Sequence, residues 1–417
     1  MAKKFDIPEF YKSDIIRSVK SARQILDPRK RDTEPVTVDF GPVQFLVPRH
    51  FGFCYGVENA IDIAYRTVEQ NPDKNIYLLS EMIHNPNVNE DLIRRGVKFL
   101  FETDGTPIIP ISSLSSDDIV IVPAFGTTIE IQKELEGRGI NPYQYDTTCP
   151  FVEKVWKRGN QLGKKENALV IHGKHNHEET RATFSHSAKA SSAVVVVLNP
   201  EEARILADVM LLKRPLEEFE QHFGHKCTEG FNPLTDLEKF GVINQTTMLA
   251  TETQEVMDIL RAAVAEKYGE DKVKEHFADT SDTLCYATNE NQTATRSLMK
   301  TDADLALVVG GYNSSNTMHL VELLEHEFPT YHVRDASELK SPLEIHHFNQ
   351  WDKQLHVSKD WLPLEYDRPL KVAITSGASC PDVLVDEVIL KVIGWFDSVR
   401  DVEEVVKPFK ETMADLV

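Results

Sequence analysis

The sequence has few cysteines, no long apolar run and no excess of basic charge. Only 5 of its 417 residues are cysteines, which excludes the disulfide-rich class of small secreted proteins. No apolar run approaches the roughly 18 residues that a membrane span needs, so no membrane partner is expected. The N-terminal stretch has no signal-peptide core and contains acidic residues among its basic ones, which favours a cytoplasmic location.

Basic residues are outnumbered in this chain. Lys and Arg total 46 against 66 Asp and Glu, which gives a net charge of −20. Nucleic-acid backbones bind basic surfaces, so no nucleic-acid partner is expected. The sequence also contains no P-loop and no complete Gly-x-Gly-x-x-Gly fingerprint, so a nucleotide is not indicated. An anionic ligand must therefore be bound by a local pocket.

The chain does contain a repeated alternation of apolar strand candidates and amphipathic helical runs. The clearest strand candidates are 76–79, 119–122, 168–171, 194–198, 305–309 and 372–375. This alternation is typical of α/β proteins with parallel sheets, whose ligands gather at the carboxyl ends of the strands. With 41% apolar residues, the chain is long enough to form two or three domains.

Three cysteines share one sequence context, in which a strand-like run ends and a helical pattern begins. These are Cys54, Cys149 and Cys285. A helix N-terminus favours an anion, so we expect all three thiols to ionise easily and to bind a metal. Any one of them alone could be a small buried hydrophobe. The repetition of the context favours a single metal centre assembled from three similar units.

The loop from His172 to Glu179 is rich in histidine and could be taken for a zinc site. The three cysteines are the better ligand set, which leaves the histidines for substrate contacts and Glu179 as a candidate acid. Three thiolates suit a cubane iron–sulfur cluster in which one iron has no protein ligand. That open iron could bind a substrate oxygen directly.

The loops that follow the strand candidates carry many hydroxyl, amide and imidazole groups. They are the segments 81–86, 172–180, 244–247, 310–317 and 375–379. Such groups bind phosphate oxygens at helix N-termini without a large basic charge. Each loop alone would be ordinary helix capping, and together they predict a phosphate pocket.

Eight motifs occur in order along the chain. They are Gly-Phe-Cys (52–54), Ile-His-Asn (83–85), Asp-Thr-Thr-Cys-Pro (146–150), His-Glu-Glu-Thr (177–180), Gln-Thr-Thr (245–247), Cys-Tyr-Ala-Thr (285–288), Asn-Ser-Ser-Asn (313–316) and Ser-Gly-Ala-Ser-Cys-Pro-Asp (376–382). In these motifs the chain resembles the 4-hydroxy-3-methylbut-2-enyl diphosphate reductase family, which performs the last step of the non-mevalonate isoprenoid pathway. The N-terminal extension and the insertions resemble the longer branch of that family, found in cyanobacteria and plants.

The resemblance implies an α/β fold in which three similar α/β domains form a trefoil around a central iron–sulfur cluster. The expected division is an N-terminal extension at 1–43, a first domain at 44–148, a second at 149–284 with an irregular insertion near 212–238, a third at 285–398 with an irregular insertion near 341–368, and a C-terminal tail at 399–417.

The resemblance also implies a site. Cys54, Cys149 and Cys285 would hold one 4Fe-4S cluster, whose open iron receives the allylic hydroxyl of the substrate. The residues that correspond to the diphosphate pocket are His84, His177, Ser314, Ser315, Asn316 and Ser379. Glu179 matches the family's proton-delivery carboxylate, and Thr246 matches its partner near the substrate hydroxyl.

The reaction implied is a two-electron reductive dehydroxylation of the allylic diphosphate. It gives isopentenyl and dimethylallyl diphosphate, with electrons from a protein of the ferredoxin or flavodoxin type. One position departs from the family pattern, because shorter members carry a histidine where this chain has Phe125. Phenylalanine cannot donate to a phosphate, and our hypothesis is that Thr127, Thr128 or Lys174 supplies the missing contact.

Two other classes of function stay open at this point. A cluster-dependent hydro-lyase also uses an open iron, but its chemistry is redox-neutral and its carboxylate substrates call for arginines that these loops lack. A non-enzymatic iron–sulfur sensor could use the same cysteines. It would have no need for Glu179 or for the Ser and Asn pocket.

Overall fold

The structure is a computed structural model that describes residues 5, 7–11, 13–278, 283–364 and 367–414. Asp282, which belongs to the predicted context of Cys285, lies outside the described residues. The chain divides into two compact units. Unit 1 comprises Met1–Glu58, His84–Asn87 and Tyr286–Val417, and unit 2 comprises Asn59–Ile83 and Val88–Cys285.

The α-helices of the described chain are, in order, α1 (Ile15–Leu26), α2 (Tyr55–Gln70), α3 (Pro86–Arg94), α4 (Ile129–Gly137), α5 (Pro150–Gly163), α6 (Glu178–Ala188), α7 (Pro200–Met210), α8 (Leu216–Phe223), α9 (Ala250–Tyr268), α10 (Val273–His276), α11 (Tyr286–Leu298), α12 (Ser315–Glu325), α13 (Asp382–Ile393) and α14 (Val402–Ala414). Within the described ranges, none of these helices combines the length and apolar character that crossing a bilayer requires.

The strands are β1 (Val36–Asp39), β2 (Val43–Val47), β3 (Ile76–Leu78), β4 (Lys98–Phe99), β5 (Ile119–Ile121), β6 (Ala168–His172), β7 (Val194–Val197), β8 (Phe240–Asn244), β9 (Phe277–Ala278), β10 (Leu305–Val309), β11 (Thr330–Val333), β12 (Leu339–Ser341), β13 (Glu344–Asn349), β14 (Gln354–Lys359) and β15 (Leu370–Ser376). Each of the six strand candidates named from the sequence overlaps one of these strands.

Unit 1 is built on a five-stranded sheet in the order β1-β2-β15-β10-β11. The last four strands run parallel, and β1 lies antiparallel beside β2. Every residue of β10 is buried, and its neighbouring side chains Leu307 and Val308 belong to different core clusters. A strand that is buried on both faces needs helices on both sides of its sheet, which is the α/β arrangement.

The position of β2 differs from the expected domain division. The sequence places this strand in a first domain at 44–148, yet β2 pairs in parallel with β15, with Phe45 opposite Val372. Such a pairing joins strands from opposite ends of the chain. The pattern of apolar residues shows that a strand exists but does not specify its partner. The domain boundaries at 149 and 285 stay predictions.

The segments expected to be irregular contain regular elements. The one near 341–368 forms the antiparallel pair β13 and β14, and the one near 212–238 contains α8, whose Phe219 and Phe223 are buried. In β13 only Ile345 is buried, so the alternation that marks a strand is absent from the sequence. The N-terminal extension supplies α1 and β1 to unit 1.

Unit 2 contains two parallel sheets, in the orders β4-β3-β5 and β7-β6-β8-β9. All of β6 is buried, and Val170 and Ile171 belong to core clusters on opposite faces. The predicted α/β class with parallel sheets is therefore confirmed in both units. The loops at the carboxyl ends of these strands are the places where ligands are expected.

Candidate functional site

Each of the three predicted cysteine ligands lies directly before a helix, as the sequence indicates. Cys54 precedes α2, Cys149 is the N-cap of α5, and Cys285 precedes α11. A strand precedes the turn of Cys54, where β2 ends at Val47, and the turn of Cys285, where β9 ends at Ala278. Before Cys149 the described residues make only an isolated bridge, between Val122 and Asp146. The sequence overestimated the strand content at this one turn, because short apolar or β-branched runs also occur in extended loops.

The backbone N–H of each cysteine is held in the same way. It donates to a carbonyl in a loop that follows a parallel strand: Cys54 to Ala378 (3.2 Å), Cys149 to Ala124 (2.9 Å) and Cys285 to Thr246 (3.3 Å). The three loops follow β15, β5 and β8 respectively. The similarity that the sequence showed between the cysteine contexts therefore extends to their hydrogen bonding, once in unit 1 and twice in unit 2.

The thiol of Cys54 does not ionise as easily as its place before a helix suggested. Burial raises its pKa, and the N–H groups of Gly56 and Val57 oppose this rise without cancelling it. For Cys54 the prediction of an easily ionised thiol is therefore wrong, because desolvation outweighs the helix end. A thiol that coordinates a metal is deprotonated outright, so a metal bound at Cys54 would itself have to drive ionisation.

The three cysteines do not form a site for a single metal ion. Among the described residues, no three side chains of His, Cys, Asp or Glu lie around one point as ligands of a single ion would. A cubane cluster differs in this respect, because its thiolates bind separate irons. The five cysteines are all free thiols. Three soft donors in matching turns fit an iron–sulfur cluster, and their joint ligation of one cluster stays a prediction.

Within unit 2, the structure brings together the predicted acid and its partner. Glu179, in the first turn of α6, is only 1% exposed. The backbone N–H of Thr246 donates to its Oε1 (2.6 Å), and the hydroxyl of Thr246 donates to its Oε2 (2.9 Å). Hydrogen bonds to a carboxylate are about twice as strong as neutral ones. They fix both the position and the orientation of Glu179.

His177 lies beside this pair as the N-cap of α6. Its Nδ1 accepts from the backbone N–H of Glu179 (3.2 Å). In a neutral imidazole one nitrogen accepts and the other carries the proton, so this bond assigns the proton to Nε2. That tautomer can donate to an anion. The imidazole ring also packs against Phe125 in a T-shaped arrangement, with the ring centres 5.6 Å apart.

Unit 1 brings together most of the predicted diphosphate residues, all of them buried. The hydroxyl of Ser379 donates to the carbonyl of His84 (3.1 Å) and lies 3.4 Å from the hydroxyl of Ser314. Ser314 is the N-cap of α12, and Ser315 and Asn316 form the first turn of that helix. The segment is therefore a helix N-terminus lined with hydroxyl and amide groups, which suits a phosphate.

Asn316 has a buried donor that is available to an anion. Its Oδ1 accepts from the backbone N–H of Ala378 (2.8 Å) and from the side-chain amide of Asn291 (3.4 Å). Its Nδ2 is buried and has no hydrogen-bond partner among the described residues. An unmade bond of this kind costs about 1–3 kcal/mol, and a phosphate oxygen would supply the acceptor.

The three residues proposed to replace the missing histidine at Phe125 are partly engaged elsewhere. Thr128 caps α4 through its hydroxyl, which accepts from the N–H of Ile131. The carbonyl of Thr127 bonds with His186 (3.2 Å), and the backbone N–H of Lys174 donates to Gln245 (3.1 Å). Whether one of them contacts the diphosphate stays a prediction.

One buried pair near the acid was not found from the sequence. Ser80, which follows β3, donates a short hydrogen bond to Glu178, and both side chains are buried. They line a cavity of about 60 Å³ together with Arg181. The signal was the acidic doublet at 178–179, but only the fold shows that the two carboxylates have different partners.

Known proteins resemble this chain over most of its length. The LytB protein family matches residues 46–393. A 4-hydroxy-3-methylbut-2-enyl diphosphate reductase of Thermosynechococcus vestitus is 41% identical over 357 residues, which is 84% of this chain and 85% of the relative. The enzyme of the same name from Prochlorococcus marinus is 38% identical over 396 residues, 93% of this chain and 92% of the relative.

A solved structure shares the fold. It is that of the E-1-hydroxy-2-methyl-but-2-enyl-4-diphosphate reductase from Plasmodium falciparum, with a TM-score of 0.59 and 20% identity over 88% of this chain and 96% of that one. The matched range of the family, 46–393, agrees with the range over which the eight motifs occur. The chain belongs to the LytB protein family.

Proposed function

We propose that this chain is a 4-hydroxy-3-methylbut-2-enyl diphosphate reductase. It removes the C4 hydroxyl of its allylic diphosphate substrate by adding two electrons and two protons, and releases water with isopentenyl or dimethylallyl diphosphate. The names of relatives that cover more than four fifths of the chain support this activity. The proposal includes one 4Fe-4S cluster held by Cys54, Cys149 and Cys285.

The observation that carries the proposal is the double role of Thr246. Its carbonyl accepts from the N–H of Cys285 (3.3 Å), while its own N–H and hydroxyl donate to Glu179 (2.6 and 2.9 Å). A candidate cluster ligand and a candidate proton donor are therefore attached to the same residue. This arrangement supports a chemistry in which protons and electrons are delivered to one place.

Glu179 is the general acid in this proposal. An alcohol is a poor leaving group, and a proton from Glu179 lets the oxygen leave as water. The carboxylate that remains keeps both hydrogen bonds from Thr246, so the site stabilises the product of proton transfer without rearranging. The second proton is added to either end of the allylic group, which accounts for two products.

The substrate is bound through its diphosphate. The proposed donors are the hydroxyls of Ser314, Ser315 and Ser379, the amide Nδ2 of Asn316, and the imidazoles of His84 and His177. A pocket of this kind suits a chain with a net charge of −20, since it needs no general basic surface.

The cluster, when bound, supplies electrons singly and an open iron that acts as a Lewis acid on the hydroxyl. We infer that the electrons come from a soluble carrier of the ferredoxin or flavodoxin type and that the reaction takes place in the cytoplasm. The hydro-lyase alternative is less well supported, because the candidate pocket is formed by hydroxyl and amide groups rather than by arginines.

Anaerobic reconstitution tests the proposal. The chain is loaded with iron and sulfide, reduced chemically, and given 4-hydroxy-3-methylbut-2-enyl diphosphate. We expect both products, and we expect the Mössbauer spectrum of one iron to change when substrate is added. A fully loaded chain that binds the substrate but releases neither product would contradict the proposed reaction.

A further inference from the structure

The N-terminal extension is firmly attached to unit 1. The carboxylate of Asp386 accepts from three backbone N–H groups at the start of α1, those of Asp14 (2.8 Å), Ile15 (3.0 Å) and Ile16 (3.0 Å). The side chains of Ile15 and Ile16 are buried in the core cluster of unit 1. Helix α1 is therefore capped by Asp386 and packed into the core of unit 1. A helix fixed in this way can hold a neighbouring segment in position.

The extension contacts three aromatic residues next to Cys54, which are Phe51, Phe53 and Tyr55. The Nζ of Lys20 donates to the carbonyl of Phe51 (2.8 Å) and lies 4.2 Å from the centre of its ring. The ring of Tyr11 packs against Phe53 with the centres 6.0 Å apart, and that of Phe5 packs against Tyr55 at 5.0 Å. Three separate side chains of the extension thus cover the turn that carries the first cysteine.

Lys20 also joins this turn to the start of α13. Its Nζ bonds the carboxylate of Asp382 at 2.6 Å. Gly52 lies in the turn with a φ of +72°, and a Cβ at this position would collide with the carboxylate of Asp382 and lie 2.8 Å from the Nζ of Lys20. Glycine is needed here both for the positive φ and for the close approach of this ion pair.

On its other side, the turn is held by the bond from Cys54 to Ala378 (3.2 Å). A cavity of about 500 Å³ reaches the turn, and its lining includes Phe5, Lys20, Gly52 and Cys54. Side chains of the extension therefore line the same cavity as the cysteine. Their loss would widen access to Cys54 without removing any residue of the turn itself.

We propose that Lys20 is a positioning residue, which fixes the Phe51–Cys54 turn through the Phe51 carbonyl and Asp382 and shields Cys54 from solvent. The consequence for catalysis rests on the proposed role of Cys54 as a cluster ligand. The positioning itself does not, because it can be measured on the chain without a cluster.

Alkylation of Cys54 by iodoacetamide in the full-length apo chain, followed by mass spectrometry, tests the proposal. Lys20→Met keeps the length of the side chain and removes its hydrogen bonds and charge. We expect Cys54 to react roughly 3- to 10-fold faster, as follows from the loss of a partly exposed charge-assisted bond. Lys20→Arg should react at a rate closer to that of the wild type.

Two controls make the result specific. Arg17→Met removes an exposed basic side chain of α1 that does not line this cavity, and should leave the rate at Cys54 unchanged. Cys227, in unit 2, reports general unfolding in every variant. An unchanged rate at Cys54 in Lys20→Met, or an equal rise at Cys54 and Cys227, would overturn the proposal.

A second measurement uses the loaded protein. If the turn is loosened, the cluster of Lys20→Met should lose its visible absorbance in air faster than that of wild type or Arg17→Met. Failure of the reductase function would show instead as a lack of products from a stable, loaded chain. The two failures are therefore distinguishable.

Discussion

The candidate residues of unit 1 and those of unit 2 are held by different kinds of hydrogen bond. In unit 1, Ser379 and Asn316 bond to backbone groups and to neutral side chains, and a buried amide donor lacks a partner among the described residues. In unit 2, Glu179 accepts two bonds from Thr246. Neutral donors bind an anion, whereas a fixed carboxylic acid transfers a proton. From this difference we expect that substitutions in unit 1 change mainly the binding of substrate, whereas substitutions in unit 2 change mainly the rate of the reaction.

The largest effect should come from removing a predicted cluster ligand in unit 2. This change tests whether unit 2 contributes a cysteine to the proposed cluster. We expect Cys149→Ser to lose most of its iron and sulfide, from about four irons per chain, because a site with three thiolates has no spare ligand. Cys227→Ser, at a half-buried thiol beside the carbonyl of Gly224 (3.8 Å), should keep its iron. Full loading of Cys149→Ser would remove Cys149 from the ligand set.

The next largest effect should come from the acid of unit 2. Glu179→Gln keeps the size of the side chain but cannot transfer a proton, and general acid catalysis contributes about 10²- to 10⁴-fold in rate. We expect kcat to fall by that factor with little change in KM or in iron content. Glu178→Gln changes the adjacent residue, which is bonded to Ser80, and should lower kcat much less. A larger fall in kcat for Glu178→Gln than for Glu179→Gln would indicate that Glu178 is the general acid.

A smaller effect should come from the pocket of unit 1. Asn316→Asp keeps the oxygen that accepts from Ala378 and replaces the unpartnered donor with a charged acceptor. We expect KM to rise roughly 10- to 100-fold with little change in kcat, because a donor to a charged group is worth about 1.5–3 kcal/mol. Asn141→Asp, an exposed asparagine whose Oδ1 accepts from Tyr143 (3.0 Å), is the matched control. A fall in kcat with an unchanged KM would contradict the assignment of substrate binding to unit 1.

The smallest effect should come from Phe125. Phe125→Ala removes the ring that packs against His177, and an aromatic contact of this kind contributes about 0.5–1.5 kcal/mol. We expect KM to rise roughly 2- to 10-fold, since His177 keeps its bond to the N–H of Glu179. Steady-state kinetics on anaerobically loaded protein measure this. A large fall in kcat would show that Phe125 aligns the acid as well.

The sequence predicted what depends on short stretches of chain. The cysteine positions before helices, the six strands and the loops at their ends are encoded locally, by apolar runs, by Pro150 and by capping residues, and the family inferred from the eight motifs is confirmed. The bonds between Thr246 and Glu179 and the partner of β2 join distant segments. The raised pKa of Cys54 depends on burial. No local pattern reports these features.

The pairing of β2 with β15 also bears on the order of events during synthesis. A chain is made from its N-terminus and folds domain by domain, and the two sheets of unit 2 draw all their strands from residues 76–278. Unit 2 can therefore fold on the ribosome before β15, the parallel partner of β2, has been synthesised. The turn that carries Cys54 should reach its native form only after β15 has been made, so the proposed cluster would be inserted after that point.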